Sequence, residues 1–259
     1  MMSMRKRQKF VISSLVLSLC FVLIGAFNLP WRYQAIGIMA FFSVLLSVWC
    51  LWEKLKWMEW LMILILPPLY TASIGIFYFL LPSGWLTQIT VAAGFGVGMY
   101  ALLLTQNIYT VASIRTIQLF RSAQAVGFLL TLTTSFFVYN AVLSLRLPFW
   151  SNGLLVGVLS FPLVFQGLWS VKLEEKITSG LFYFSLVLSF VLGQLGAAVS
   201  FWPAELSTGS LFLTACLYVF MGLNQHYLDG RFYRSTIREY ISVGMVVIMT
   251  MLLTTSWSG

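Results

Sequence analysis

Residues 5–28 read RKRQKFVISSLVLSLCFVLIGAFN, a knot of basic residues followed by an almost unbroken apolar run. A helix needs about 20 such residues to cross the hydrocarbon of a bilayer, and the run from Phe10 meets that length. Arg5, Lys6, Arg7 and Lys9 precede it, and Lys and Arg are enriched on the cytoplasmic side of membrane spans. The stretch therefore predicts a first span with its N-terminus in the cytoplasm. A secretory leader is the alternative, but its apolar core is about 7–15 residues and ends in small residues. This run is longer and no Ala-x-Ala pattern follows, so an uncleaved span is the expectation.

Working outward, apolar runs recur near 10–28, 33–52, 60–81, 85–105, 123–145, 149–171, 177–201, 206–224 and 239–257. The chain is 60% hydrophobic and only 8% charged, whereas a soluble domain carries about 25% charged residues. The expected fold is all-α, a polytopic bundle of about nine spans forming a single integral membrane domain over 1–259. Pro67 and Pro68 interrupt the third span and Pro162 the sixth, which predicts kinks there, since proline removes a helical hydrogen bond.

Alternation from a cytoplasmic N-terminus sends Lys54, Lys56, Arg115, Arg121, Lys172, Lys176, Arg231, Arg234 and Arg238 to the inner side as well. Only Arg32 and Arg146, of fifteen Lys and Arg in all, fall outside. Miscounting by one span would scramble that segregation, so the C-terminus is expected outside. The four outer turns, Leu29-Pro30-Trp31, Pro82-Ser83-Gly84-Trp85, Pro148-Phe149-Trp150 and Trp202-Pro203, each join a helix-stopping Pro to an interfacial Trp. The net charge of +8 is thus a topology signal, and nucleic acid is not an expected partner.

Chemistry inside the membrane is sparse. Apart from Glu239 at the first position of the last one, none of the nine runs contains Asp, Glu, Lys, Arg or His, the residues that mark proton relays and ion paths. Asn140, Gln166 and Gln194 remain, either as a pathway for a polar, uncharged solute or as interhelical hydrogen-bond glue. Gly94, Gly96 and Gly98 lack the strand of a nucleotide fingerprint. Gly94-x-x-x-Gly98 and Gly153-x-x-x-Gly157 read instead as close helix contacts. Cys20, Cys50 and Cys216 lie in or beside apolar runs without metal-site spacing, and no metal or cofactor is expected. No Gly-x-Ser-x-Gly elbow occurs, and no Asn-x-Ser/Thr sequon.

Charge gathers in one mixed segment, His226 to Tyr240. His226, Asp229, Arg231, Arg234 and Arg238 form a candidate contact for lipid headgroups or a partner. Were the segment helical throughout, Arg231, Arg234 and Arg238 would share a face. Against this, Thr236-x-x-Glu239 before an apolar run is a capping-box pattern, which would start the last span near Thr236, with Asp229-Gly230 as the turn. Phosphatidyl-transfer enzymes use a longer Asp-rich pattern of which only Asp229-Gly230 is present. Between spans four and five, Ile108, Val111, Ile114, Ile117 and Phe120 recur every three positions, a weak amphipathic signal compatible with a cytoplasmic extension of span four.

Spans four and five can be laid over eight and nine at an offset of 117, pairing Trp85 with Trp202, Asn107 with Asn224, Arg121 with Arg238 and Val126-Gly127 with Val243-Gly244. Parallel repeats of this kind occur in transporters, and biased composition produces some of the matches by chance. The stretch from Gln106 through Arg115 and Arg121 to Gly127 resembles the inner loop of uncharacterised multi-pass proteins of small-genome candidate-phylum bacteria. That resemblance implies a bacterial cytoplasmic membrane and no activity.

The leading expectation is a structural or accessory subunit without a catalytic centre, its partners being membrane lipids and other membrane subunits or a second copy. The alternative is a permease for an uncharged or lipid-like substrate. A lipid-modifying enzyme built on His226 and Asp229 ranks third.

Overall fold

The structure, a computed structural model, describes residues 6–26, 31–52, 57–81, 84–113, 118–173, 178–230 and 233–255. Among them the chain is helical without strands, in ten helices. These are α1 (Lys6–Ala26), α2 (Arg32–Leu51), α3 (Trp57–Ile63), α4 (Leu66–Tyr78), α5 (Trp85–Ala112), α6 (Phe120–Ser144), α7 (Phe149–Lys172), α8 (Ser179–Val199), α9 (Leu206–Leu228) and α10 (Arg234–Thr254). Taking α3 and α4 together, nine helices are long and apolar enough to cross a membrane. The apolar runs therefore became helices nearly at their expected bounds, because in lipid a helix satisfies its own backbone groups.

Two expectations need adjusting. Pro67-Pro68 breaks its span outright: α3 ends at Ile63, Leu64 and Ile65 form a turn, and α4 restarts with proline in its first turn. Pro162, by contrast, sits within an unbroken α7. The last span starts at Arg234, capped by Tyr233 without a side-chain hydrogen bond, so the Thr236/Glu239 capping box does not form. Gly230, at φ +70°, closes the expected turn with its N–H donating to the Tyr227 carbonyl.

The chain packs as two compact units, Met1–Leu130 and Thr131–Gly259. In the first, α1 runs against α5 and α2 against α4, while α3 touches α5. Phe95 is its hinge pin, stacked between Phe21 of α1 at 5.2 Å and Tyr70 of α4 at 5.5 Å. The Ser18 hydroxyl donates to the Ala92 carbonyl at 2.8 Å, tying α1 to α5. Gly94 makes no close contact, since nothing lies within 4 Å of where its Cβ would stand. Gly96 faces Ser18, and Gly98 leaves room for the Tyr70 hydroxyl. The expected Gly94/Gly98 contact is thus replaced by Gly96 and Gly98 serving two different neighbours.

In the second unit α7 and α8 form the closest pair. A Cβ on Gly153 would stand 2.9 Å from both the Gly193 carbonyl and the Ala197 Cβ, and Gly157 lies against Gly193. The Gly153/Gly157 expectation is therefore realised, with small residues letting two backbones touch. Ser160 donates to the Val156 carbonyl, so the Tyr139 hydroxyl must be the donor in its 2.7 Å bond to Ser160. The Trp202 indole donates to Thr255 at 2.7 Å, joining the α8–α9 turn to the end of α10.

Candidate functional site

In a bundle of helices this apolar, a buried polar atom without a partner is the observation that asks for an explanation. Leaving such a group unpaired costs about 1–3 kcal/mol, and four side-chain oxygens among the described residues are in that state: Gln106 Oε1, Asn107 Oδ1, Asn152 Oδ1 and Gln166 Oε1. Asn152 is otherwise employed, its Nδ2 donating to the Leu147 carbonyl at 3.1 Å and to the Ser200 hydroxyl at 3.0 Å. Gln106 and Gln166 make no side-chain hydrogen bond at all.

The three neutral residues expected to line a pathway or glue helices separate into two kinds. Asn140 on α6 and Gln166 on α7 are each 3% exposed, and no hydrogen bond ties either to a neighbouring helix. Gln194 lies on the exposed face of α8, in an apolar groove shared with Trp150, Leu154 and Phe190 of α7 and α8. No hydrogen bond joins any two of the three. The interhelical work in this unit is done by other residues: Tyr139 with Ser160, Asn152 with Ser200, and Gln225, whose Nε2 donates to the Gly167 carbonyl at 2.9 Å.

The 226–240 segment is divided by the α9–α10 turn. His226 lies in the last turn of α9 and Asp229 is its C-terminal cap, its N–H donating to the Gln225 carbonyl. His226 lies edge-on to the Tyr240 ring at 5.8 Å, and Tyr240 also packs on Tyr218 and Gly222. Arg234 and Arg238 are exposed on the first turns of α10, and Arg231 lies outside the described residues. α10 begins only at Arg234 and so carries Arg234 and Arg238. Lys54, Lys56, Arg115 and Lys176 also fall outside the described residues.

The burial of three further residues escaped the sequence reading. Glu59 belongs to the third span, which runs Glu59–Tyr78, and it is 4% exposed. It is the one charged side chain buried among the described residues, correcting the expectation that no span holds an ionisable group. Gln106 and Asn107 continue α5 beyond its expected end at 105, inside the bundle rather than in a loop. A signal was present for Glu59: it stands one residue before the third apolar run, so a small shift of the helix start takes it in.

With this geometry in hand, comparison with known families gives one match. A family model described as "Protein of unknown function (DUF5656)" aligns with residues 12–254. The chain belongs to the DUF5656 family. The match spans all nine apolar helices, so the family is defined by the whole DUF5656 bundle and not by a loop. No curated protein and no solved structure matches the chain.

Proposed function

We propose that this DUF5656 chain is a permease for an uncharged, polar solute. It crosses a bacterial cytoplasmic membrane nine times, with the N-terminus inside and the C-terminus outside, and it has no catalytic centre of its own. The observation that carries the reading is Gln166, an amide sealed inside the second unit without a protein partner. Interhelical glue would bond a neighbouring helix, and neither Gln166 nor Asn140 does so. A solute offering hydroxyl or amide groups supplies what they lack, and the scarcity of buried charge suits a neutral one.

The test is flux through liposomes holding the purified protein, with glycerol, urea, glucose and uridine as probes. Saturable uptake of at least one, abolished in Gln166→Leu and retained in Gln194→Leu, is the expected result. No saturable uptake of any of them would sink the proposal. A reporter active only in the cytoplasm, fused after Gly259, should stay silent; activity there would overturn the orientation.

A second reading, the accessory subunit, draws support from α10. Met245, Val246, Met249 and Leu253 project from it almost uncovered, a surface available to a partner helix as well as to lipid. Constant recovery of one partner in mild detergent favours it, and a lone monomer counts against it.

A further inference from the structure

We propose that the groove between α7 and α8 holds one acyl chain of a membrane lipid, inserted from the leaflet at its Trp150 end; this rests on the nine-span reading and not on solute transport.

The groove follows from the glycines. Gly153 and Gly157 of α7 meet Gly193 of α8, and a Cβ on Gly193 would stand 2.8 Å from the Gly153 carbonyl. Small residues let two helix backbones approach this closely, and the seam between them then carries no side chains. Larger residues on either flank, Leu154 and Val158 of α7 and Leu186 and Phe190 of α8, stand as its walls. All four are exposed, so the trough is open on the outside of the unit. Its volume is about 530 Å³.

The lining is almost entirely carbon. The Ser189 hydroxyl donates to the Leu186 carbonyl of its own helix at 3.0 Å, and Gln194 and the Trp150 indole supply the rest of the polarity. Such a surface recognises hydrocarbon.

Length identifies the hydrocarbon. The lining runs along α7 from Trp150 to Phe161 and along α8 from Ala197 to Leu186, a separation of eleven residues in both helices. Eleven residues of helix rise about 16 Å, close to half of a hydrocarbon layer roughly 30 Å thick. At one end stands Trp150, exposed and of the residue type enriched at membrane interfaces. Beyond the other end Phe161 stacks on Phe165 at 5.5 Å and lies edge-on to Phe182 at 5.7 Å. These rings occupy the next turn of both helices. The trough is therefore one leaflet deep, open at the interface and stopped near the midplane. A lipid chain has that length and those two ends. A spanning helix from a second copy would continue through both leaflets and run into the three phenylalanines.

The experiment uses the purified full chain in phosphatidylcholine liposomes that contain a trace of phosphatidylcholine with a diazirine at the end of one acyl chain. After irradiation, mass spectrometry locates the modified residues. Label concentrated at Phe161 and Leu186 is the expected result. Moving the diazirine to the middle of the chain should shift the label toward Leu154 and Phe190. Leu154→Trp and Val158→Trp, which fill the trough without touching the glycine seam, should each abolish labelling there. Val187→Trp, a similar change at an exposed position of α8 outside the groove, should leave it intact. Label spread over α1, α2 and α10 in proportion to their exposure would reveal ordinary surrounding lipid and overturn the proposal. An unlabelled trough would overturn it too, whether or not a cross-linked pair of chains appears. Should the tryptophan variants fail to fold, the shift of label with diazirine position decides alone. Solute flux enters none of these readouts, and the reporter fused after Gly259 tests the nine spans separately.

Discussion

Phe10, Ser13, Ser14, Leu17 and Phe21, the buried positions of α1, fall at an offset of 117 on Gly127, Leu130, Thr131, Thr134 and Val138 of α6, every one buried. The buried positions of α2, Ile36, Met39, Ser43, Ser47, Cys50 and Leu51, likewise fall on buried positions of α7. Beyond the next loop the register slips by one residue. Ala92, Phe95, Met99 and Leu103 of α5 match Ser210, Leu213, Leu217 and Met221 of α9 at an offset of 118. The helix pairs repeat too: α2 packs on α4 as α7 packs on α8, and α4 on α5 as α8 on α9. The sequence pairing of Trp85 with Trp202 therefore sits one residue out of the structural register, which is why identities alone left the repeat open.

What differs between these regions is more instructive than what repeats. In the 118 register Gln106 corresponds to Asn224. Asn224 Nδ2 donates to the Phe220 carbonyl at 2.9 Å, and the adjacent Gln225 bonds Gly167. The same level of the second unit thus satisfies its amides, while the first leaves Gln106 and Asn107 unpaired. The scaffold does not force that deficit on the chain, since the matching level of the second unit lacks it.

The comparison can be broken most forcefully at the paired glycines. A Cβ on Gly193 would lie 2.8 Å from the Gly153 carbonyl, an immovable backbone atom. Its counterpart Gly75 faces the Ile36 side chain at 2.9 Å, which can turn aside. Gly193→Ala should cost about 3 kcal/mol and Gly75→Ala about 1 kcal/mol, at the two ends of the usual range for overpacking. Thermal unfolding of both variants measures the gap, and equal losses would undo the contrast. A smaller contrast is expected at the matched serines. Ser160→Ala removes the acceptor of the Tyr139 hydroxyl and should cost about 1 kcal/mol. Ser43→Ala loses only a bond within its own helix, to Ala40, and should change the Tm little. Trp202→Phe, which frees Thr255, should cost about 0.6 kcal/mol, the average for hydrogen bonds between membrane helices. Gln166→Leu has the opposite sign: it should leave the Tm unchanged or raise it while removing solute uptake.

Most of the architecture was legible because length and hydropathy decide what lies in lipid. The spans were readable to within a few residues, and Pro67-Pro68 announced a disturbance in the right place. Glu59 was missed for a definitional reason: an apolar run beginning at Trp60 excludes the charge beside it, and only packing reveals that the helix buries it. Gln106 was missed similarly: the 108–120 periodicity allowed an extension of span four, as α5 to Ala112 shows, but nothing local said that the Gln-Asn pair would be buried. At the other end of the chain, Thr236/Glu239 looked like a cap, yet the helix nucleated two residues earlier, at Arg234. Local hydrogen-bonding patterns compete with neighbours that a sequence does not display. Whether Asn140 and Gln166 would bond other helices or stand alone was likewise invisible, because it depends on which side chains face them.

The length of α5 has one more consequence. At 28 residues it extends about 42 Å, against about 30 Å of hydrocarbon. Counted from Trp85, about twenty residues span the oily layer, which leaves Gln106 at the far rim. Most of a transmembrane voltage falls across that layer, about 2.3 kcal/mol per charge for each 100 mV. Were α5 seated in a bilayer from Trp85, the Gln106 and Asn107 amides would lie where nearly all of that voltage has already fallen from the Trp85 side, and a change in their hydrogen bonding would be almost insensitive to membrane potential.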